Sequence, residues 1–316
     1  MSALQPARSA TEQKARIFCR AIDVGDLDAV ADCLARGFPE PRDSFWRASL
    51  RRLGERASVD GLPKFGQCLV ADGVIVGALL QIHSRRAGPD GARIFCNLSS
   101  WCVDEAYRAY GLTLNARATS RPDVTYFNVS PAPHTRPALE ATRQKRYNRG
   151  ALVFAPLLSA RRAGASVVAF EPGSAAAGAL PEAERALLAE HAAQGCRALV
   201  GLLGVQAYGF VLQARRVLGG RVPVNQVIYC RDLASLAAFG RALGRALGWH
   251  ASPLCVVDAD GPLPGLAGWF APGAAPKYYR GPAAPRLGDL SHSELVYLRG
   301  ADVPTPVERA LPGGSA

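Results

Sequence analysis

The sequence predicts an α/β protein in which one unit, a mixed β-sheet flanked by helices, occurs as two tandem copies. Three observations carry that prediction. Hydrophobic residues make up 49% of the 316-residue chain, enough to bury one large or two medium-sized cores. Apolar runs fall in the order strand, helix, helix, three strands, helix, strand, helix, which calls for an antiparallel hairpin section and a parallel crossover in one sheet. Short stretches then recur, Gly77-Ala-Leu-Leu-Gln81 against Gly209-Phe-Val-Leu-Gln213 and Ile94-Phe-Cys-Asn97 against Ile228-Tyr-Cys-Arg231, as in a duplicated unit.

In chain order, Ile17 to Ala21 is a short strand-like run. Asp23, Asp26 and Asp28 then open an amphipathic stretch, Leu27 to Leu34, and early acidic residues suit a helix N-terminus. Ser44 to Arg56 places Phe45, Trp46, Leu50 and Leu53 on one helical face and arginines on the other. The runs Gly66 to Ala71 and Val74 to His83 flank Asp72-Gly73, a dipeptide that favours a tight hairpin turn. A third strand, Ala92 to Val103, feeds a helix-like segment from Arg108 to Thr119. The strand Val124 to Val129 leads through Pro131 and Pro133 into a helix expected over about Thr135 to Arg146. Downstream, Ala198 to Leu212 reads as buried strands, Leu233 to Leu247 as the counterpart of the Arg108 helix, and Pro253 to Val257 as that of the Val124 strand. The expected organisation is a flexible start (1–11), a first domain (12–160), a second (165–300) and a tail (301–316).

Composition narrows the function classes. Residues 1–20 lack the apolar core of a signal peptide, and the fifteen residues Ala198 to Leu212 fall short of the roughly 20 that span a membrane. A cytoplasmic protein without a membrane span is expected. Eight cysteines stand singly with no CxxC pair and only five histidines, so neither a metal site nor a disulfide framework is expected. Of the net charge of +11, residues 1–164 hold +9 (24 basic, 15 acidic) and residues 165–316 hold +2 (13 basic, 11 acidic). Such a field suits a polyanionic small molecule or a nucleic acid. The arginines are dispersed rather than interleaved with aromatics in a recognition motif, which argues against nucleic acid.

The stretch that carries chemistry is Ser99-Ser-Trp-Cys-Val-Asp-Glu-Ala-Tyr-Arg-Ala-Tyr-Gly-Leu-Thr113. A strand running into a helix whose first turn holds Arg108 and Gly111 directs unpaired amides and the positive dipole end at the junction, where an anion would bind. Here the sequence resembles the GCN5-related N-acetyltransferase (GNAT) family. Val103, Tyr107, Arg108 and Gly111 follow that family's Arg/Gln-x-x-Gly-x-Gly/Ala loop, and Thr113 departs from its last position. The likeness covers about residues 15–150. It implies acyl transfer from acetyl-CoA or another acyl-CoA to an amine or hydroxyl of a small-molecule acceptor. It also implies that backbone groups of Trp101, Cys102 and Val103 pair with the pantetheine arm while Arg108, Ala109, Tyr110, Gly111, Leu112 and Thr113 wrap the pyrophosphate. Thr113 would either crowd the phosphate or donate its hydroxyl to it.

Many relatives protonate the departing thiolate with a tyrosine, and Ala138 to Arg143 offers none. His134 stands as an acid or substrate ligand, or else as a loop or capping residue. His83 stands as a base for the incoming amine, or else as a solvent-facing strand residue. Ser99 and Ser100 are expected to line the acceptor pocket, and Asp104 and Glu105 to be helix-start residues. The second copy has no Arg-x-x-Gly counterpart in Arg231 to Gly240, which implies a degenerate domain packed against the first, and true repeats would form an intrachain pseudo-dimer. Lys277-Tyr-Tyr-Arg280 and His292 read as exposed loop residues or as facing the acceptor site. The alternative function is a non-catalytic CoA-ligand-sensing or scaffold protein of the same fold.

Overall fold

The computed structural model describes residues 16–39, 43–88, 91–217, 222–248 and 253–298. The expected flexible segments 1–11 and 301–316 lie outside them. The first part of the chain forms β1 (Ile17–Ala21), α1 (Leu27–Gly37), α2 (Asp43–Glu55), β2 (Gly66–Ala71), β3 (Val74–Gly88), β4 (Gly91–Val103), α3 (Gly111–Ala118), β5 (Val124–Asn128), α4 (Arg136–Ala141) and β6 (Lys145–Arg146). Next come β7 (Gly150–Phe154), β8 (Ser166–Ala169), α5 (Ala175–Gly178), α6 (Glu182–Ala193), β9 (Arg197–Leu203), β10 (Gln206–Val217), β11 (Val222–Cys230), α7 (Leu233–Leu247) and β12 (Leu254–Ala259). β13 (Gly268–Pro272), β14 (Tyr278–Arg280) and α8 (Glu294–Tyr297) complete the described elements.

Local chemistry fixes the hairpins and helix ends. Asp72 and Gly73 both take positive φ, 48° and 84°, the paired left-handed geometry whose twist suits a two-residue hairpin. The helix expected to reach Arg146 stops at Ala141 instead. Arg143 turns left-handed at φ 62°, and Lys145 and Arg146 pair with β14.

The strands form two seven-stranded mixed sheets, ordered β1-β2-β3-β4-β5-β14-β6 and β8-β9-β10-β11-β12-β7-β13. The second order repeats the first position by position. Each sheet has a single parallel pairing at its centre, β4 with β5 and β11 with β12. Each also carries one extra residue just beyond it, Ser100 opposite β3 and Ile228 opposite β10. Ser100 takes φ 53°, as the bulged residue of such an irregularity can.

This register corrects one of the expected sequence echoes. Leu80 pairs with Ser99 as Leu212 pairs with Val227, so Gly77 to Gln81 does correspond to Gly209 to Gln213. The bulge, however, aligns Ile228 with Ser100 rather than with Ile94. The true second echo is Trp101-Cys-Val-Asp104 against Tyr229-Cys-Arg-Asp232.

The strands also cross the expected boundary between residues 160 and 165. β7 enters the second sheet and β14 returns to the first, so each half supplies the strand beside its partner's edge. The two crossing connections are bonded to each other at Asn148. Its Nδ2 donates to the carbonyl of Ala275 at 3.0 Å, its Oδ1 accepts from the amide of Lys277 at 2.8 Å, and the Tyr147 amide donates to the Lys277 carbonyl. Lys277 and Tyr278 are therefore buried at a sheet strand, not exposed on a loop.

Apolar clusters show where the layers meet. α3 covers one face of the first sheet through Leu114 and Ala118, and α7 covers one face of the second through Leu236, Phe239 and Leu243. The other two faces share a single large core. It joins Val30 and Leu34 of α1, Trp46 and Leu50 of α2, Leu188 of α6, Val211 of β10, and Leu290 to Leu298 near the end of the described chain. The segment 289–298 thus lies between the halves.

Candidate active site

The parallel pair at the centre of each sheet is short. β4 pairs with β5 from Ile94–Val124 to Asn97–Phe127, after which β4 runs on to Val103 with no strand on that side among the described residues. β11 leaves β12 after Gln226–Val256 in the same way. Each sheet therefore has a gap between diverging strands, next to the bulge. Backbone groups facing such a gap need a partner.

In the second sheet the chain itself provides one. Residues 286–290 run antiparallel along β11, where the Cys230 amide donates to the Gly288 carbonyl at 2.9 Å and the Leu290 amide to the Ile228 carbonyl at 2.7 Å. From the other wall, Asp258 of β12 accepts the Gly288 amide at 3.1 Å. Gly288 sits at φ 74°, and a Cβ there would stand 2.5 Å from the Cys230 sulfur. The helix that follows closes its own start, because Asp232 and Ser235 form a reciprocal capping box.

The gap of the first sheet holds no such segment among the described residues. Its floor is instead polar. Glu294 of α8 accepts hydrogen bonds from the hydroxyls of Ser99 on β4 and Ser130 just past β5, one carboxylate oxygen to each wall. The Glu294 amide donates to Asn97 Oδ1 at 2.8 Å, while Asn97 Nδ2 donates to the Phe127 carbonyl at 3.2 Å, so Asn97 holds the branch point. The hydroxyls of Ser99 and Ser100 lie 3.1 Å apart. Glu294 and Ser99 are buried, whereas Ser100 and Ser130 are half-buried at the rim. Burial pushes the Glu294 carboxyl above its ordinary range, against the two serine hydroxyls and Arg215, which favour the charged form.

The segment Glu105 to Thr113 differs from the expected anion cradle. Glu105–Tyr110 form a 3-10 helix that passes directly into α3, so the first helical turn lies before Arg108. Gly111 is buried with φ −56° and ψ −44°, and its amide donates to the Arg108 carbonyl. The Trp101 ring lies 3.6 Å from where a Gly111 Cβ would stand. With alanine at 109 and threonine at 113, the backbone keeps to the helical region throughout. Arg108, Ala109, Tyr110, Leu112 and Thr113 are exposed, and Arg108 pairs with Glu105 at 3.7 Å. Asp104 stands at the N-cap position of this helix, where its carboxylate makes no capping bond and pairs instead with Arg36 at 2.8 Å.

The structure brings Ser99 and Ser100 together with Glu294 and Ser130, and sets Cys102 beside Cys33, their sulfurs 3.9 Å apart. It does not bring the histidines there. His83 pairs with Cys96 and faces the α3 side, as Gln81 does in bonding the Ala118 carbonyl, whereas Asn97 and Ser99 face the other side. It is buried rather than solvent-facing. Its Nδ1 donates to the Pro63 carbonyl at 3.1 Å, and burial lowers its pKa to about 4. His134 is exposed on the 3-10 turn Pro133–Thr135 before α4. His292 lies in the interface between the halves, its amide donating to His191 Nε2 at 3.2 Å. Among the described residues no group of three His, Cys, Asp or Glu side chains is placed to hold a metal ion, and no helix is long and apolar enough to cross a membrane.

Sequence reasoning missed Glu294 and Ser130. The signal at Glu294 was a lone carboxylate opening the apolar run Leu295 to Leu298, far along the chain from β4.

No protein-family model matches the sequence, and no curated protein matches it. Solved structures do match the fold. A conserved protein of unknown function from Enterococcus faecalis V583, described as a probable N-acyltransferase, aligns at TM-score 0.55 and 10% identity over 88% of this chain and 74% of its own. A GCN5-related N-acetyltransferase from Anabaena variabilis aligns at TM-score 0.53 and 7% identity, over 84% and 72%. One from Kribbella flavida aligns at TM-score 0.52 and 13% identity, over 86% and 72%. The chain has the GCN5-related N-acetyltransferase fold.

Proposed function

We propose that the protein transfers an acyl group from acyl-coenzyme A to an amine or hydroxyl of a small acceptor, using the gap of the first sheet. The observation that carries this reading is the contrast between two matching gaps, one filled by residues 286–290 and the other left with a polar floor. An extended pantetheine arm has the same needs as the segment along β11, a chain that pairs with a strand edge. The edge from Ser100 to Val103 is the corresponding one. The second half then acts as a degenerate copy that closes the acceptor side from below through residues 289–298.

Glu294 is the group suited to receive the acceptor's proton. As the nitrogen or oxygen attacks the thioester carbonyl, its proton passes to a serine hydroxyl, whose own proton moves to Glu294; the thiolate of coenzyme A leaves. Direct attack needs positioning and one managed proton rather than a covalent intermediate. Because the Glu294 carboxyl sits above its ordinary range, the acid limb of kcat lies above that of a free carboxylate.

The closed helix from Glu105 to Ala118 favours a second reading, a non-catalytic protein of this fold that senses a coenzyme A ligand or serves as a scaffold. Acyl-donor titration in a calorimeter followed by an amine and alcohol screen separates the two. The first reading expects one bound donor per chain and turnover, with Glu294→Gln lowering kcat by about 10²–10⁴ while donor affinity holds. Binding without turnover selects the second. Failure to bind any acyl donor removes the transferase and the sensor and leaves the scaffold.

A further inference from the structure

Cys102 lies on the free edge of β4, and Cys33 faces it from α1 with the two sulfurs 3.9 Å apart. The helix is already pressed onto the strand. A Cβ on Gly37, one turn beyond Cys33, would stand 2.5 Å from the Cys102 Cβ. Cys33 is fully buried, whereas Cys102 is half-buried at the gap. We propose that Cys33 and Cys102 form an oxidation site, a dithiol that a peroxide converts into a disulfide joining α1 to β4.

The two thiols differ in the way this chemistry needs. The contact between the two sulfurs holds the Cys102 thiol below the ordinary range and pushes that of Cys33 well above it. Burial pushes Cys68 up to about 11 and Cys96 and Cys255 up to about 12, which leaves those thiols protonated and slow to react. A reactive, reachable thiol next to a second, resolving thiol is the usual arrangement of a reversible oxidation site.

The step balances as follows. The Cys102 thiolate attacks one peroxide oxygen, the O–O bond breaks, and Cys102 becomes a sulfenic acid while hydroxide leaves and takes up a proton. The Cys33 sulfur then attacks the Cys102 sulfur and displaces a second water. Two thiols lose two electrons and two protons, and one peroxide becomes two waters. Closure shortens the sulfur separation from 3.9 Å to about 2.0 Å. The inference concerns this thiol pair alone and stands whether or not the chain transfers acyl groups.

The test uses the full chain in its native state. After brief treatment with hydrogen peroxide, free thiols are alkylated and the digested protein is mapped by mass spectrometry. A crosslinked peptide pair containing Cys33 and Cys102 should form at least about tenfold faster than oxidation of any other thiol, because only this pair sets a resolving sulfur beside the attacked one. Thiol reductant should reverse it, and unfolding in urea beforehand should remove the preference. With Cys33→Ala, Cys102 should persist as a sulfenic acid that dimedone captures. Recovery of both cysteines alkylated, or earlier oxidation elsewhere in the wild-type protein, overturns the proposal.

Discussion

Acidification between about pH 6.5 and pH 4 should loosen the contact that holds residues 289–298 between the halves, and His191 is the residue to perturb. His191 of α6 is fully buried, its Nδ1 donating to the Leu187 carbonyl at 2.8 Å and its Nε2 accepting the His292 amide at 3.2 Å. A second proton has to go on Nε2, against an N–H already pointing at it. Burial is the largest cause that lowers its pKa from 6.5 to about 4; His292, whose ring centroid is 4.8 Å away, adds to it, while Glu190 and Asp289 oppose it. The folded state therefore resists a proton that the unfolded chain accepts. Stability is full above pH 6.5, falls as pH drops toward about 4, and levels off below that. At about 1.4 kcal/mol per pKa unit, the loss assigned to His191 is about 3 kcal/mol. Buried His83, lowered to about 4 as well, contributes over the same window. Urea unfolding across this range should show wild-type stability falling by roughly twice the amount seen for His191→Gln, since two histidines contribute in one and a single histidine in the other. Parallel losses in both proteins would refute the assignment.

Two further substitutions probe the filled gap and the strand beside it. Gly288→Ala combines a left-handed φ of 74° with a Cβ 2.5 Å from the Cys230 sulfur, and should cost about 2–4 kcal/mol in urea unfolding; a loss under about 0.5 kcal/mol would mean that residues 286–290 do not seal the second gap. Arg231→Ala removes the 2.5 Å ion pair to Glu184, leaving that buried carboxylate with the Tyr229 hydroxyl as its remaining hydrogen-bond donor. It should destabilise by about 2–3 kcal/mol, below the fully buried case because the Arg231 side chain is one-third exposed, and Arg231→Ala with Glu184→Gln together should recover part of the loss.

The fold was largely legible because hydrophobic periodicity and turn chemistry are local. Asp72-Gly73 announced its hairpin, and Leu233 to Leu247 matches α7 at both ends. The strand exchange was not legible, because nothing in Tyr147 to Arg149 marks which sheet the next strand joins; that depends on Asn148 meeting Ala275 and Lys277 across the chain. The site was half legible. Ser99 and Ser100 stood on the strand that carried the resemblance, but their partner Glu294 lies 195 residues beyond Ser99, a pairing that only the tertiary fold creates. The backbone of the expected phosphate loop was not legible for a different reason. Arg108 and Gly111 have the right spacing, yet spacing does not reveal whether the backbone opens at the glycine, and without glycine at 109 or 113 it stays helical.

Amide hydrogen exchange with and without acyl-coenzyme A tests the asymmetry of the two gaps most directly. The account predicts that the donor slows exchange in Ser100 to Val103 and leaves Ile228 to Cys230 unchanged, because residues 286–290 already occupy that edge. Protection appearing at Ile228 to Cys230, or at neither edge despite saturating donor, would contradict it.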